Sequence, residues 1–236
     1  MQKKGVWRFF EVLARDFWGL VRLNLLFCAC SFVSVALFVL GLLGFFAGFV
    51  FVLSLVAAFP VGGAYCACLF CVSKMLRDDP GYIWYDFKRK FLENWKAAMA
   101  PGVLCAAFVY AQVFLWVSLA FGGLEIDAAL VVLGFVSLLV FGMVSPFFFL
   151  QVTYIDLGVS QILKNSVLIS FSNIGRSFLG AFFGGFLWVA FVLFLPGSLG
   201  FLPLVVLIGF SLSWLLNLMW VWAPVDKLFG IDAALR

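Results

Sequence analysis

The chain has 236 residues, of which 66% are apolar and 11% charged, with a net charge of +4 and a mean hydropathy of +1.20. A water-soluble fold of this length has too little interior to cover so much apolar surface, so the composition excludes a soluble globular domain. Residues 23–73 contain no charge and do not alternate in polarity, which favours membrane-spanning helices over a barrel. We therefore predict an all-α polytopic membrane protein that forms one transmembrane domain over residues 1–236.

The apolar runs are long enough for six membrane spans of about 20 residues each. We place them at residues 23–43, 48–73, 97–121, 128–154, 177–196 and 202–223. Pro60 lies inside the second span, close to Gly62 and Gly63, and should kink or loosen it. The first run is too long for the apolar part of a cleavable signal peptide, so we expect an uncleaved anchor.

The basic residues predict the orientation. All 15 Lys and Arg residues lie on one side of the six predicted spans, and the opposite loops carry only Glu125 and Asp127. Because Lys and Arg mark the cytoplasmic side, both termini should be cytoplasmic. The basic face would meet anionic lipid, and the spacing of nucleic-acid-reading motifs is missing, so the expected partner is the lipid bilayer and no nucleic acid.

Three amphipathic segments each precede a pair of spans. In the second segment, Trp84, Phe87, Phe91 and Trp95 recur at intervals of 3, 4 and 4 residues, which places them on one face of a helix. We predict that this helix lies along the cytoplasmic membrane surface and that the four side chains anchor it in the acyl boundary. The corresponding stripes are Val6, Phe10, Leu13, Phe17 and Leu20 in the first segment and Leu163, Val167, Phe171, Ile174 and Phe178 in the third.

The three segments are evenly spaced. Asp16, Asn94 and Asn173 lie 78 and then 79 residues apart, which fits either a threefold internal repeat or chance periodicity in an apolar chain. In a repeat, each of these residues would stand where a surface helix turns into an outgoing span, and would accept a hydrogen bond from a free backbone N–H. The repeat units would be 1–78, 79–156 and 157–236.

The sequence indicates no catalytic, cofactor-binding or metal-binding site. It has no His, and Cys66, Cys68 and Cys71 lie in an apolar helix, where inert packing is favoured over a metal or redox role. No predicted span has a charge at its middle, which argues against an ion-driven pump and a membrane enzyme. Polar residues at depth either bond neighbouring helices or face a cavity. The cavity candidates are Gln112, Ser118 and Ser137, with Gln151 in an inner vestibule.

A set of short motifs carries a family resemblance. They are Asn24-Leu25-Leu26, Pro60-Val61-Gly62-Gly63-Ala64, Lys74-Met75-Leu76-Arg77-Asp78, Asp86-Phe87 with Phe91, Asn94-Trp95-Lys96, Leu163-Lys164-Asn165-Ser166 and Ser172-Asn173-Ile174. Together they resemble the YesL family of bacterial integral membrane proteins (DUF624), most closely over the first hundred residues. The resemblance implies a location in the bacterial plasma membrane, beside carbohydrate importers, and carries no catalytic residue with it.

Three functions follow as hypotheses. The resemblance implies a non-enzymatic protein accessory to a carbohydrate uptake system, with an ABC-type sugar importer as its partner. The even spacing leaves a second hypothesis, a transporter of small, carbohydrate-related molecules in its own right. A subunit of an ABC permease is the least favoured, because the chain shows no convincing coupling loop of the glutamate–alanine–alanine type.

Overall fold

The structure is a computed structural model and describes residues 6–44, 47–79, 81–120, 127–155, 157–194 and 202–231. Every regular element within these ranges is a helix, which confirms the all-α prediction. The helices are α1 Val6–Leu42, α2 Ala47–Val56, α3 Phe59–Arg77, α4 Ile83–Ala120, α5 Ala128–Tyr154, α6 Val159–Ser172, α7 Ile174–Phe194, α8 Leu202–Leu204 and α9 Phe210–Phe229, with a π-helical turn at Val205–Gly209.

Five of these helices are long and apolar enough to cross a membrane, and the bent pair of α6 and α7 makes a sixth if it is one span. The fourth predicted span coincides with α5. This helix begins after Asp127, whose carboxylate accepts the N–H of Ala129. The second predicted span is divided into α2 and α3 by a turn directly before Pro60. Proline lacks an N–H and is tolerated only in the first turn of a helix, which is where Pro60 lies in α3. The predicted kink at Pro60 is therefore confirmed, in the form of a break between two helices.

The second amphipathic segment differs from its prediction. α4 is a single helix of 38 residues, about 57 Å long, so the surface helix predicted for the segment from Trp84 to Trp95 is the first part of α4 and not a separate element. The chain has no helix-breaking residue between Phe91 and Ala100. Asn94 even supports the helix, because its amide donates to the carbonyl oxygen of Lys90 at 2.9 Å.

Two junctions resemble each other closely. α1 is kinked at Asp16 (φ −108°, ψ 19°), and α6 ends at Asn173 (φ −117°, ψ 41°), after which α7 leaves at an angle of 98°. A threefold repeat predicts such a junction at Asn94 too, where α4 continues as one helix, so the likeness covers two of the three positions and the division into repeat units stays a prediction. Asn94 lies inside α4 and not at a helix start, so its predicted acceptor role is wrong. The amides of Asn94 and Asn173 both donate to the carbonyl oxygen four residues earlier.

Three helices, the second of each predicted pair of spans, form the centre of the bundle. α3, α5 and α9 pack against one another, and each outgoing helix contacts two of them: α1 contacts α3 and α9, α4 contacts α3 and α5, and α7 contacts α5 and α9. Tyr65 on α3 lies between the rings of Phe149 (4.6 Å) and Trp214 (5.5 Å). Phe147, Leu150, Leu215, Leu218 and Val221 are fully buried around them. Apolar side chains therefore fill the centre in the described part of the chain.

Candidate functional site

The candidate site is the basic end of the bundle, which we define by Arg8, Arg15, Lys74, Arg77 and Asp78. Asp78 follows the last residue of α3 in a left-handed conformation (φ 61°). Its carboxylate accepts a hydrogen bond from Arg15 and lies 2.8 Å from a guanidinium nitrogen of Arg8. Arg8 also donates to the carbonyl oxygen of Leu76 at 2.6 Å. These contacts connect the N-terminal part of α1 with the turn between α3 and α4.

The two arginines keep Asp78 ionised. Burial would by itself raise the pKa of the Asp78 carboxyl, but the hydrogen bonds from Arg8 and Arg15, together with their charges, lower this pKa below its ordinary value of 3.8. Arg8 is only 8% exposed, and its charge is neutralised by ion pairs with Asp78 and Glu11. The contacts of these three residues therefore support the fold.

A second group of ion pairs closes the hairpin of α3 and α4. Nζ of Lys74 lies 2.8 Å from Oδ2 of Asp86, and Arg89 lies 3.4 Å from the other carboxylate oxygen. The side chain of Asp86 is 8% exposed, and removing one member of such a buried pair is costly. A Cβ at Gly81 would lie 2.6 Å from Nζ of Lys74, so the small residue there leaves room for this pair.

The three central helices are joined around Arg77 at the same end. The guanidinium carbon of Arg77 lies 5.1 Å from the ring centre of Trp222 on α9 and 5.9 Å from that of Tyr154 on α5, within the range of cation–π interactions. The hydroxyl of Tyr154 lies 2.5 Å from Oγ of Ser73 on α3. Arg77 also pairs with Asp79 at 3.2 Å. The basic end is consequently braced through α3, α5 and α9.

Exposed aromatic side chains surround these charges. Trp7, Trp18, Tyr82, Trp84 and Tyr85 are between 63% and 86% exposed. Trp and Tyr are typical of membrane–water interfaces, because one edge of the ring is polar and the rest is apolar. Trp7 and Trp18 lie outside the apolar stripe that predicted the first amphipathic segment. Their residue type next to basic residues is the signal that could have identified them.

The four predicted membrane anchors do not share one environment. Trp84 is 64% exposed and Trp95 36%, as expected for side chains at a lipid-facing surface. Phe87 is only 5% exposed and packs in the protein core, where it stacks on the half-buried Phe91 with 6.1 Å between ring centres. The helical face on which all four lie is thus divided: Trp84 and Trp95 are open to the surroundings, whereas Phe87 is largely covered by protein and only borders the groove between α1 and α4.

The predicted cavity residues are distributed over separate contacts. Nε2 of Gln112 donates to Oγ of Ser137 at 2.9 Å and so joins α4 to α5, and Trp116 donates to Oε1 of the same Gln112. Ser118 is half-buried farther along α4. Gln151 lies on α5 about 21 Å along the helix from Ser137. It is fully buried and donates to Oγ of Ser166 at 2.9 Å. The structure therefore brings Gln112 and Ser137 together as a bond between helices and leaves Gln151 elsewhere.

Asn24 makes a polar contact with residues about 180 positions later, which no local sequence pattern indicates. Its amide nitrogen donates to the carbonyl oxygens of Val205 (3.0 Å) and Val206 (2.6 Å), and its oxygen accepts the N–H of Ser211 at 3.0 Å. A π-helical turn shifts the regular backbone hydrogen bonds and leaves such groups in need of partners. Asn24 therefore ties α1 to the π-helical turn before α9.

Two grooves open on the outside of the bundle. One, of about 320 Å³, lies beside Phe38, Tyr110 and Phe114, and the other, of about 390 Å³, lies between α1 and α4. Neither is lined by any of the four predicted cavity residues. No group of His, Cys, Asp and Glu side chains that could hold a metal ion occurs among the residues whose positions are described.

No protein-family model matches the chain, and no curated protein and no solved structure matches it either. The geometry of the basic end and the motifs quoted above are therefore the basis for a functional proposal.

Proposed function

We propose that the protein is a non-enzymatic accessory protein of the bacterial plasma membrane that works beside a carbohydrate uptake system, with its basic end in the cytoplasm. The observation that supports this most is the braced basic end. Ion pairs within the protein neutralise Arg8, Arg15 and Lys74, while the aromatic side chains around them stay exposed. The carbohydrate context comes from the resemblance to the YesL family.

A rigid surface with exposed aromatic side chains suits docking. Tyr and Trp supply much of the binding energy in protein interfaces, and a surface that is already ordered loses little entropy when a partner binds. Tyr82 lies in the turn between α3 and α4 and Tyr85 in the first turn of α4, and they are 86% and 63% exposed. We place the contact with a cytoplasmic or membrane subunit of an ABC-type sugar importer there.

The test is affinity purification of the tagged full-length protein from native membranes in a mild detergent. We expect importer subunits to co-purify with the wild-type protein and to be lost from the double variant Tyr82→Ser/Tyr85→Ser. Leu163→Ser/Leu168→Ser is the matched control, since these exposed residues lie on α6. Absence of importer subunits from the wild-type sample, or equal recovery with both double variants, contradicts the proposal.

The alternative is transport by the protein alone, which the similar junctions at Asp16 and Asn173 favour because they fit a repeat. A carrier also needs polar residues around a central path. In the described residues Phe147, Phe149 and Leu150 fill that place, which supports the accessory role over the carrier. Uptake of labelled mono- and oligosaccharides by vesicles containing only this protein would reverse the preference.

A further inference from the structure

The geometry points to a binding site for an anionic phospholipid in the groove between α1 and α4. We infer that the acyl chains lie in this groove and that the phosphate lies at its basic end, between Arg22 and Lys88. The groove has a volume of about 390 Å³. This inference does not depend on the proposed function, because it concerns the lipid around the protein and not a protein partner.

The groove suits an acyl chain. Its α1 side is formed by Leu26, Ala29 and Cys30, and its α4 side includes Trp84 and Phe91. These side chains are apolar or largely so, and α1 carries no charge from Leu23 to its end at Leu42. The opening faces outward from the bundle at the depth of α1 where a membrane span is expected, so hydrocarbon is the medium that fills it.

Leu26 of α1 and Trp84, Lys88 and Leu92 of α4 line the groove, and Trp18 and Arg22 precede Leu26 on α1 at four-residue spacing. α1 carries Trp18, Arg22 and Leu26, and α4 carries Trp84, Lys88 and Leu92, in both cases four residues apart. Side chains at this spacing lie above one another on a helix face. Both helices begin at the basic end, so each gives an aromatic ring, then a cation, then an apolar residue. This order matches the interface, the phosphate level and the acyl region of one leaflet.

The cations are available for a phosphate. Arg22 and Lys88 are exposed, and neither makes an ion pair or a side-chain hydrogen bond with the residues that the structure describes. Their neighbours Arg8, Arg15 and Lys74 are all paired with carboxylates. Lys88 in the groove lining and Arg22, one helical turn before Leu26, are thus left without acidic partners among the described residues. Basic residues between membrane helices at this level bind anionic headgroups.

Lipid binding can be measured directly by native mass spectrometry of the purified protein, titrated with phosphatidylglycerol or phosphatidylcholine. The wild-type protein should retain phosphatidylglycerol preferentially. Arg22→Gln/Lys88→Gln should lower the affinity for phosphatidylglycerol by roughly five-fold for each cation removed and leave phosphatidylcholine unchanged. Ala29→Phe, which places a ring in the groove without a change of charge, should reduce the binding of both lipids.

The matched control is Lys164→Gln/Arg176→Gln. It removes one Lys and one Arg from exposed positions on α6 and α7, so the change in net charge is the same. We expect it to change the affinity for phosphatidylglycerol by less than about two-fold, since no groove is altered. Equal losses in the two double variants would show a general effect of charge and overturn the site.

Two further results would also overturn the inference. Equal retention of both lipids by the wild-type protein would remove the role of the cations, and full retention by Ala29→Phe would remove the role of the groove. If soluble glycerol phosphate displaces the lipid at equal concentration, the site recognises phosphate alone and the lipid assignment fails. Because the wild-type comparison needs no substitution, a variant that fails to fold does not prevent a decision.

Discussion

Replacing Asn24 with Leu tests whether the contact between α1 and the π-helical turn stabilises the bundle. The side chain is fully buried. Leu keeps its approximate volume and removes the three hydrogen bonds to the last part of the chain, two to carbonyl oxygens and one from the N–H of Ser211, together with a contact to Sγ of Cys28 on the same helix. Interhelical hydrogen bonds in membrane proteins contribute about 0.6 kcal/mol on average and up to about 1.7 kcal/mol, so the loss should be about 2–5 kcal/mol.

The assay is reversible unfolding in mixed micelles with increasing denaturing detergent, combined with hydrogen exchange of residues 205–211. Ser31→Ala is the control, because the hydroxyl of Ser31 is also buried on α1 but bonds to Phe27 and Cys28 of the same helix. We expect the control to lose less than about 1 kcal/mol. The reasoning is refuted if Asn24→Leu unfolds at the same detergent fraction as Ser31→Ala and its exchange at 205–211 is unchanged.

Three other predictions concern the close helix packing, the ion pairs and the orientation. Gly62→Ala should destabilise the hairpin of α3 and α4 by about 1–3 kcal/mol, because a Cβ would overlap the carbonyl of Ala98, whereas Gly175→Ala, which meets nothing within 4 Å, should be neutral in the same unfolding assay. Because the pKa of Asp78 in the folded protein lies below 3.8, its contribution to stability is present above this value and is lost as the pH falls through the folded pKa. The melting temperature should therefore decrease less between pH 7 and pH 3 for Asp78→Asn than for the wild type. In a variant without native cysteines, a cysteine at Lys88 should be protected from an impermeant reagent added outside the cell, and labelling there would refute the predicted orientation.

The elements governed by local sequence could be predicted. α5 matches its predicted span because Asp127 caps a long uninterrupted apolar run, and the break before Pro60 follows from the missing N–H of proline. The turn predicted at Asn94 is absent because nothing between Phe91 and Pro101 interrupts α4. The position of Glu125, which the orientation argument used, lies outside the described residues.

The candidate site was less predictable, because its contacts join distant parts of the chain. An apolar stripe shows which residues share a helix face but does not distinguish lipid from protein as the neighbour, so it could not separate Phe87 from Trp84. Arg8 pairs with Asp78 across 70 positions, and no local pattern connects them. The cluster of charges in the sequence identified the basic end, whereas the pairing within it required the fold.

The contact of Asn24 also has a consequence for biosynthesis. Its amide lies 181 residues before its partner Val205, and ribosomes add roughly 5–20 residues each second. The first membrane helix therefore exists for roughly 9–36 s before the groups that satisfy Asn24 have been made. During that interval the amide depends on water, on lipid headgroups or on the insertion machinery for its hydrogen bonds. Synthesis of residues 205–211 releases the nascent protein from this dependence, so the appearance of this segment and the closure of the bundle are coupled through one side chain.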